Sequence, residues 1–216
     1  MLSFDLPTVL YIVVTLGVAV VLHELSHGLV ADRMGDGTAR AMGRLTVNPI
    51  RHVDPFGTIV LPGLLVLPYL FGRGGNPIFG YAKPMPVNPA NLRSPDRQLT
   101  LIALAGPITN LLLAVVGAAG LRFVGFDAGA LSDFLGIWVS LNVLLAVFNI
   151  MPIPPLDGSK VLALFLPPRA REVYRSWEPY GALFMLVVFF LFPGAIFAIV
   201  SPVVEGLLSL LVGSGG

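Results

Sequence analysis

Between Leu6 and Ala31 the chain carries no ionisable side chain except Tyr11 and the three in His23-Glu24-Leu25-Ser26-His27. About 20 apolar residues suffice to cross a bilayer as a helix, so this segment must span. Ionisable groups within a span cost several kcal/mol unless they are paired or coordinated. Whatever the chain folds into must therefore bring compensating groups to the depth of this motif.

The rest of the sequence agrees with a membrane setting. Hydrophobic residues make up 56% of the 216 and charged residues 12%, about half the share usual in a soluble domain. The expected fold is an all-α polytopic membrane protein, one embedded domain over residues 1–216, with the lipid bilayer as a partner and no nucleic acid. The 19 prolines and 24 glycines predict short, broken or returning segments. Asp5 in place of a basic start, and an apolar run longer than a signal sequence, predict that the first segment stays in the mature chain. Further spans are expected over 99–124 and 134–151, and one or two over 180–212, which is broken at Pro193-Gly194 and Pro202. With the short apolar stretch 56–71, interrupted by Pro62, Gly63 and Pro68, this gives about 5–6 membrane segments.

Basic residues mark the cytoplasmic side of such proteins. The loops 32–55, 72–98 and 152–178 each hold four lysines and arginines, and 120–133 holds only Arg122. A single crossing by 56–71 would put two equally basic loops on opposite sides, so the segment is predicted to be re-entrant. The N-terminus is then outside and 12 of the 13 basic residues are cytoplasmic. Val47-Asn48-Pro49 and Val87-Asn88-Pro89, each followed six residues later by proline, read either as short extended loops near the site or as Asn-Pro turns.

On a helix His23 and His27 share a face and can aim at one ion, while Glu24, turned by about 100 degrees, stays out of the coordination shell yet close enough to deprotonate water. Without cysteine, a third ligand must be histidine or carboxylate. His52 and Asp32, Asp36, Asp54, Asp96, Asp127 and Asp133 fall in hydrophilic loops, and Glu172 and Glu178 flank a basic stretch. Asp157 remains, in Asn149-Ile-Met-Pro-Ile-Pro-Pro-Leu-Asp157-Gly158, where proline-broken backbone follows a span and can line a cavity. One Zn²⁺ per chain, held by His23, His27 and Asp157, is the expected cofactor. The histidines lie about 12 Å and about 6 Å from the cytoplasmic end of their span, within reach of a water-filled cavity.

HELSH on the first span, Gly106-Pro107-Ile108-Thr109-Asn110 on a middle one and NIMPIPPLDG after a later one resemble the site-2 protease family of intramembrane zinc metalloproteases, over residues 10–165. The resemblance implies the same zinc ligands, Glu24 as the residue that activates water, and Asn149 near the substrate backbone or oxyanion, with Asn110 a second candidate. It implies a transmembrane protein as substrate and a multi-pass protein of the cell membrane with its site open to the cytoplasm. No stretch is long and polar enough for a PDZ or nucleotide-binding module. A zinc transporter and an inactive scaffold are the competing readings; the first needs ligands along a path, and the second sits poorly with an intact Glu24.

Overall fold

The structure, a computed structural model, describes residues 5–60, 80–192 and 194–213. Helix α1 (Leu6–Arg33) starts where the Asp5 carboxylate accepts the Thr8 N–H, with Pro7 in its first turn, and ends before Gly35, which takes a φ of 105°. A short helix α2 (Thr38–Ala41) follows, then a 3₁₀ turn at Pro49–His52 and the wide helical turn Pro55–Val60. Residues 80–88 run without regular structure into a second 3₁₀ turn at Pro89–Asn91. The two longest remaining helices are α3 (Pro95–Val124) and α4 (Ala130–Asn149), joined by a loop with Gly125 and Gly129 at positive φ. After the proline-rich turn come α5 (Gly158–Phe165), α6 (Pro168–Ser176), a 3₁₀ turn at Glu178–Tyr180, α7 (Gly181–Leu191) and α8 (Ala195–Val212).

Among the described residues all regular structure is helical, and α1, α3 and α4 are long and apolar enough to cross a membrane. Three such helices is fewer than the 5–6 segments expected. α7 and α8 are shorter, with their break where Pro193-Gly194 predicts it. Most of the expected re-entrant stretch, residues 61–71, lies outside the described residues.

α1, α3 and α4 pack side by side as alternating antiparallel helices. His27 meets Ile102 while His23 meets Asn110; farther along, Asn110 meets Asn142 and the Trp138 indole N–H reaches the Leu113 carbonyl. Arg33 and Pro95 consequently lie at the same end of the bundle, together with Asn149. Lipid offers no hydrophobic drive to pair helices, so close approach must come from small residues. Ala114, Gly117 and Ala118 supply it on α3, and a Cβ at Gly117 would collide with the Trp138 ring. Val139, Val143 and Val147 of α4 complete that core with Met185, Ile196 and Val200 from α7 and α8. Outward-facing Leu10, Val13, Leu112 and Val116 stay exposed, as a lipid-facing surface requires.

The two Val-Asn-Pro repeats are turns. Asn48 accepts the Ile50 N–H and Asn88 the Ala90 N–H through their side-chain oxygens, each opening a 3₁₀ turn with proline in its first position. Extended backbone is found beside the second repeat. Residues 80–85 run past the first loop, where the Tyr81 N–H bonds the Gly57 carbonyl and the Lys83 N–H the His52 carbonyl.

Candidate metal centre

His23 and His27 lie one turn apart on α1, and Ile102, Gly106 and Asn110 lie at the same four-residue interval on the antiparallel α3. The two ladders interlock. The His27 Nδ1–H donates to the Ile102 carbonyl at 2.6 Å, and the His23 Nδ1–H to the Asn110 Oδ1 at 2.5 Å. With Nδ1 engaged as a donor, each ring keeps the lone pair on Nε2 free for a metal. Pro107, inside the same stretch of α3, has no N–H to offer the Ala103 carbonyl one turn before it.

Between the rungs sits Gly106. A Cβ there would come within 2.5 Å of the Nε2 atoms of both histidines. The absence of a side chain thus preserves the space on which both imidazoles converge.

Asp157 arrives from the turn between α4 and α5. Gly158 makes that turn possible, because a Cβ would strike the Ile150 and Met151 carbonyls. Asp157 makes no capping bond to α5; its Oδ2 lies 3.1 Å from Nε2 of His23 and 3.3 Å from Nε2 of His27. Four ligands placed tetrahedrally at about 2.0–2.1 Å from a zinc ion stand about 3.3 Å apart, so this donor set fits the ion. Among the described residues it is the one cluster of histidine and acidic groups able to hold a metal.

Glu24 faces the same cavity, of about 610 Å³, that exposes the three ligands. Its Oε2 accepts the Met85 N–H at 2.7 Å. The extended segment thus holds the carboxylate in place, and its own course is fixed by Arg44, buried and donating to the Lys83 carbonyl at 3.0 Å. Gly28, one turn beyond Glu24, lets Met85 and Leu45 pack directly on α1.

Asn149 also lines the cavity, with its amide nitrogen donating to the Leu145 carbonyl of its own helix. Asn110 is fully buried and engaged at both ends of its amide, by His23 and by Asn142. His52 is buried away from the cluster and bonds the Thr46 carbonyl through Nε2. Sequence reasoning passed over Asn142, although a lone amide in the middle of the span 134–151 is itself a signal of a buried partner. It also placed Asp36 in a hydrophilic loop. Asp36 is fully buried, accepting from the Thr38 hydroxyl, the Asn91 side chain and the Asn88 N–H, and so ties the end of α1 to the turn before α3.

Three membrane-length helices and a largely buried cluster of two histidines and one aspartate, with a further carboxylate on the same cavity, describe a membrane protein with a candidate metal centre. The comparisons identify the family. The chain matches the model of peptidase family M50 over residues 11–134 and 126–192, and it belongs to that family, the site-2 proteases. Two curated relatives carry the name "Putative zinc metalloprotease": YwhC of Bacillus subtilis, 39% identical over 87% of this chain and 84% of its own length, and Rip2 of Mycolicibacterium smegmatis, 31% identical over 77% of this chain and 61% of its own. No solved structure gives a significant match. Zinc is the cofactor of this family, and His23, His27 and Asp157 are the residues here that fit it.

Proposed function

We propose that the protein is an intramembrane zinc endopeptidase that hydrolyses peptide bonds within or near the transmembrane segments of other membrane proteins. The observation that carries this reading is the position of Glu24. A carboxylate that is not part of the ligand cluster opens onto the same cavity, inside a helix long enough to span the bilayer.

Zinc bound by His23, His27 and Asp157 supplies Lewis-acid chemistry, polarising a carbonyl and acidifying water. The protein's own groups do the rest. Glu24 takes the proton of the attacking water and returns it to the leaving amine, which regenerates the carboxylate. The Met85 N–H orients that carboxylate by bonding its Oε2. Asn149, on the cavity wall, is the candidate to bond the substrate backbone or its developing oxyanion, a role its amide could take by exchanging its bond to Leu145. Asn110 acts on the centre from behind, holding His23 in place.

The site opens to the cytoplasm in this reading. The antiparallel packing of α1 and α3 returns the chain to the same end of the bundle after residues 34–94, which supports a re-entrant course for 56–71. The basic loops gather at that end, and Arg122 sits at the other, near the close of α3. A substrate helix would unwind to present an extended strand, with residues 80–85 as the neighbouring backbone. The transport reading lacks support, since among the described residues no second ligand cluster marks a path.

The test is Glu24→Gln in cells, with quantitative proteomics of membrane-protein fragments against wild type. Fragments that vanish in the variant, while the purified variant still binds zinc, support the mechanism; normal cleavage by Glu24→Gln overturns it.

A further inference from the structure

Three buried amide and carbonyl groups stand in line behind His23. Its Nδ1 faces Asn110 Oδ1 at 2.5 Å, the Asn110 Nδ2 faces Asn142 Oδ1 at 3.1 Å, and the Asn142 Nδ2 faces the Trp138 carbonyl at 2.9 Å. Both asparagines have no exposed surface, so water cannot substitute for any member. We infer that Asn142 is a positioning residue for the metal centre: through Asn110 it dictates which nitrogen of His23 carries the proton, and so keeps Nε2 available to the metal.

The direction of the chain follows from donor and acceptor chemistry. A backbone carbonyl can only accept, so Trp138 obliges Asn142 to present its NH₂ group there and its oxygen to Asn110. Asn110 must then turn its own NH₂ toward Asn142 and its oxygen toward His23. An oxygen at that position requires a proton on Nδ1, and a neutral imidazole protonated at Nδ1 has its lone pair on Nε2.

Without Asn142, nothing decides which way the Asn110 amide faces. Its flipped form would offer an N–H to Nδ1, move the imidazole proton to Nε2 and close that nitrogen to metal. His27 needs no relay, because the Ile102 carbonyl meets its Nδ1 directly. The two histidines thus share one device, a backbone carbonyl of a neighbouring span that sets the tautomer. On α3 a carbonyl reaches the ring itself; for His23 the carbonyl lies on α4, and two side-chain amides cover the distance.

The inference depends on the zinc centre and not on what the protein cleaves, so its test reads zinc affinity and the histidine Nδ1–H signals rather than proteolysis. Asn142→Leu keeps the branching and the number of heavy atoms without the amide. Loss of a partner behind a ligating histidine typically costs 10–100-fold in metal affinity, and about 10-fold is expected here by chelator competition on the purified protein. The decisive readout is the Nδ1–H signal in zinc-loaded protein labelled with ¹⁵N-histidine: Asn142→Leu should weaken the hydrogen bond at His23 Nδ1, moving its proton upfield and speeding its exchange, and should leave His27, bonded directly to the Ile102 carbonyl, as in wild type. Equal changes at both histidines would show that Asn142 acts through packing, and no change at His23 or in zinc affinity would show that Asn110 orients itself; each overturns the inference. If Asn142→Leu fails to fold, Asn142→Ser carries the same comparison.

Discussion

Gly106→Ala is the sharpest test of the metal centre, because one methyl group is aimed at the point where the ligands meet. Its Cβ would lie 2.5 Å from Nε2 of both His23 and His27, about 1 Å inside ordinary contact. Neither ring can retreat freely, since each is held at Nδ1 by a short hydrogen bond to α3, the helix that carries the methyl. Relief requires both imidazoles to leave their rotamers, and a 30° departure costs about 0.5–1.5 kcal/mol per side chain. Two rings give about 1–3 kcal/mol, or about 5–150-fold in zinc affinity, before any loss of ligand geometry is counted. The measurement is chelator competition on the purified protein, with thermal unfolding of the metal-free form beside it. Gly117→Ala is the control: it sets a methyl against Trp138 on the same helix, away from the ligands, and should lower stability without changing zinc affinity. Wild-type zinc affinity in Gly106→Ala, or equal losses of affinity in the two variants, would refute the reasoning.

Zinc should also act as a structural clamp, because it joins α1 to the turn after α4. At free zinc about 100-fold above Kd, binding adds about 2.7 kcal/mol, which corresponds to about 5–10 °C in the thermal midpoint of a chain of this length. His23→Ala should abolish the difference between zinc-loaded and chelator-treated protein. Asp36 gives a prediction outside the spans. Burial pushes its carboxyl upward, but hydrogen bonds from Thr38, Asn91 and Asn88 outweigh it and hold the group below the ordinary carboxylate range. Its contribution is therefore complete above the unfolded value of about 4 and is lost as pH falls through the lower folded one. Asp36→Asn should remove that part of the acid destabilisation in a pH series of thermal midpoints, and Asp36→Ala should cost about 1–2 kcal/mol by removing the hydrogen bonds that Thr38, Asn91 and Asn88 donate to it.

The spans α1, α3 and α4 were readable because hydrophobicity over 20 or more residues has few outcomes besides crossing a bilayer. Breaks written as proline and glycine, at Pro193-Gly194 and before Asp157, were readable for the same local reason. What the sequence concealed lies in pairings between elements. Nothing local to Asp36 says that Asn88 and Asn91 will close over it, and Arg44 looks like one more basic loop residue until the extended segment passes beside it. The Val-Asn-Pro repeats left two readings open, extended loops or turns, and Asn-Pro chemistry made each a 3₁₀ turn. For the site, the convergence of the two histidines of α1 could be read from their spacing alone. The purpose of Gly106 could not, because it depends on the register between α1 and α3, and a one-residue slide would carry the gap away from the rings.

That register also explains why the motif can exist in a membrane segment. The polar atoms of His23 and His27 are satisfied from α3 on one side and from Asp157 on the other, so no imidazole nitrogen faces lipid. The histidines ride on one helix, α1, locked along its length against α3, whereas Asp157 rides on a turn. That turn is held by what surrounds it: the Thr100 hydroxyl bonds the Lys160 carbonyl on α5, and the Tyr174 hydroxyl of α6 bonds the Pro152 carbonyl. Of the three ligands, the aspartate is thus the one whose position depends on the cytoplasm-facing helices of the proposed topology. Tyr174→Phe, which removes only that last hydroxyl, should weaken zinc binding while leaving both histidine tautomers unchanged. A shift in the His23 or His27 ring resonances of the metal-free variant would show instead that the ligands move as one unit.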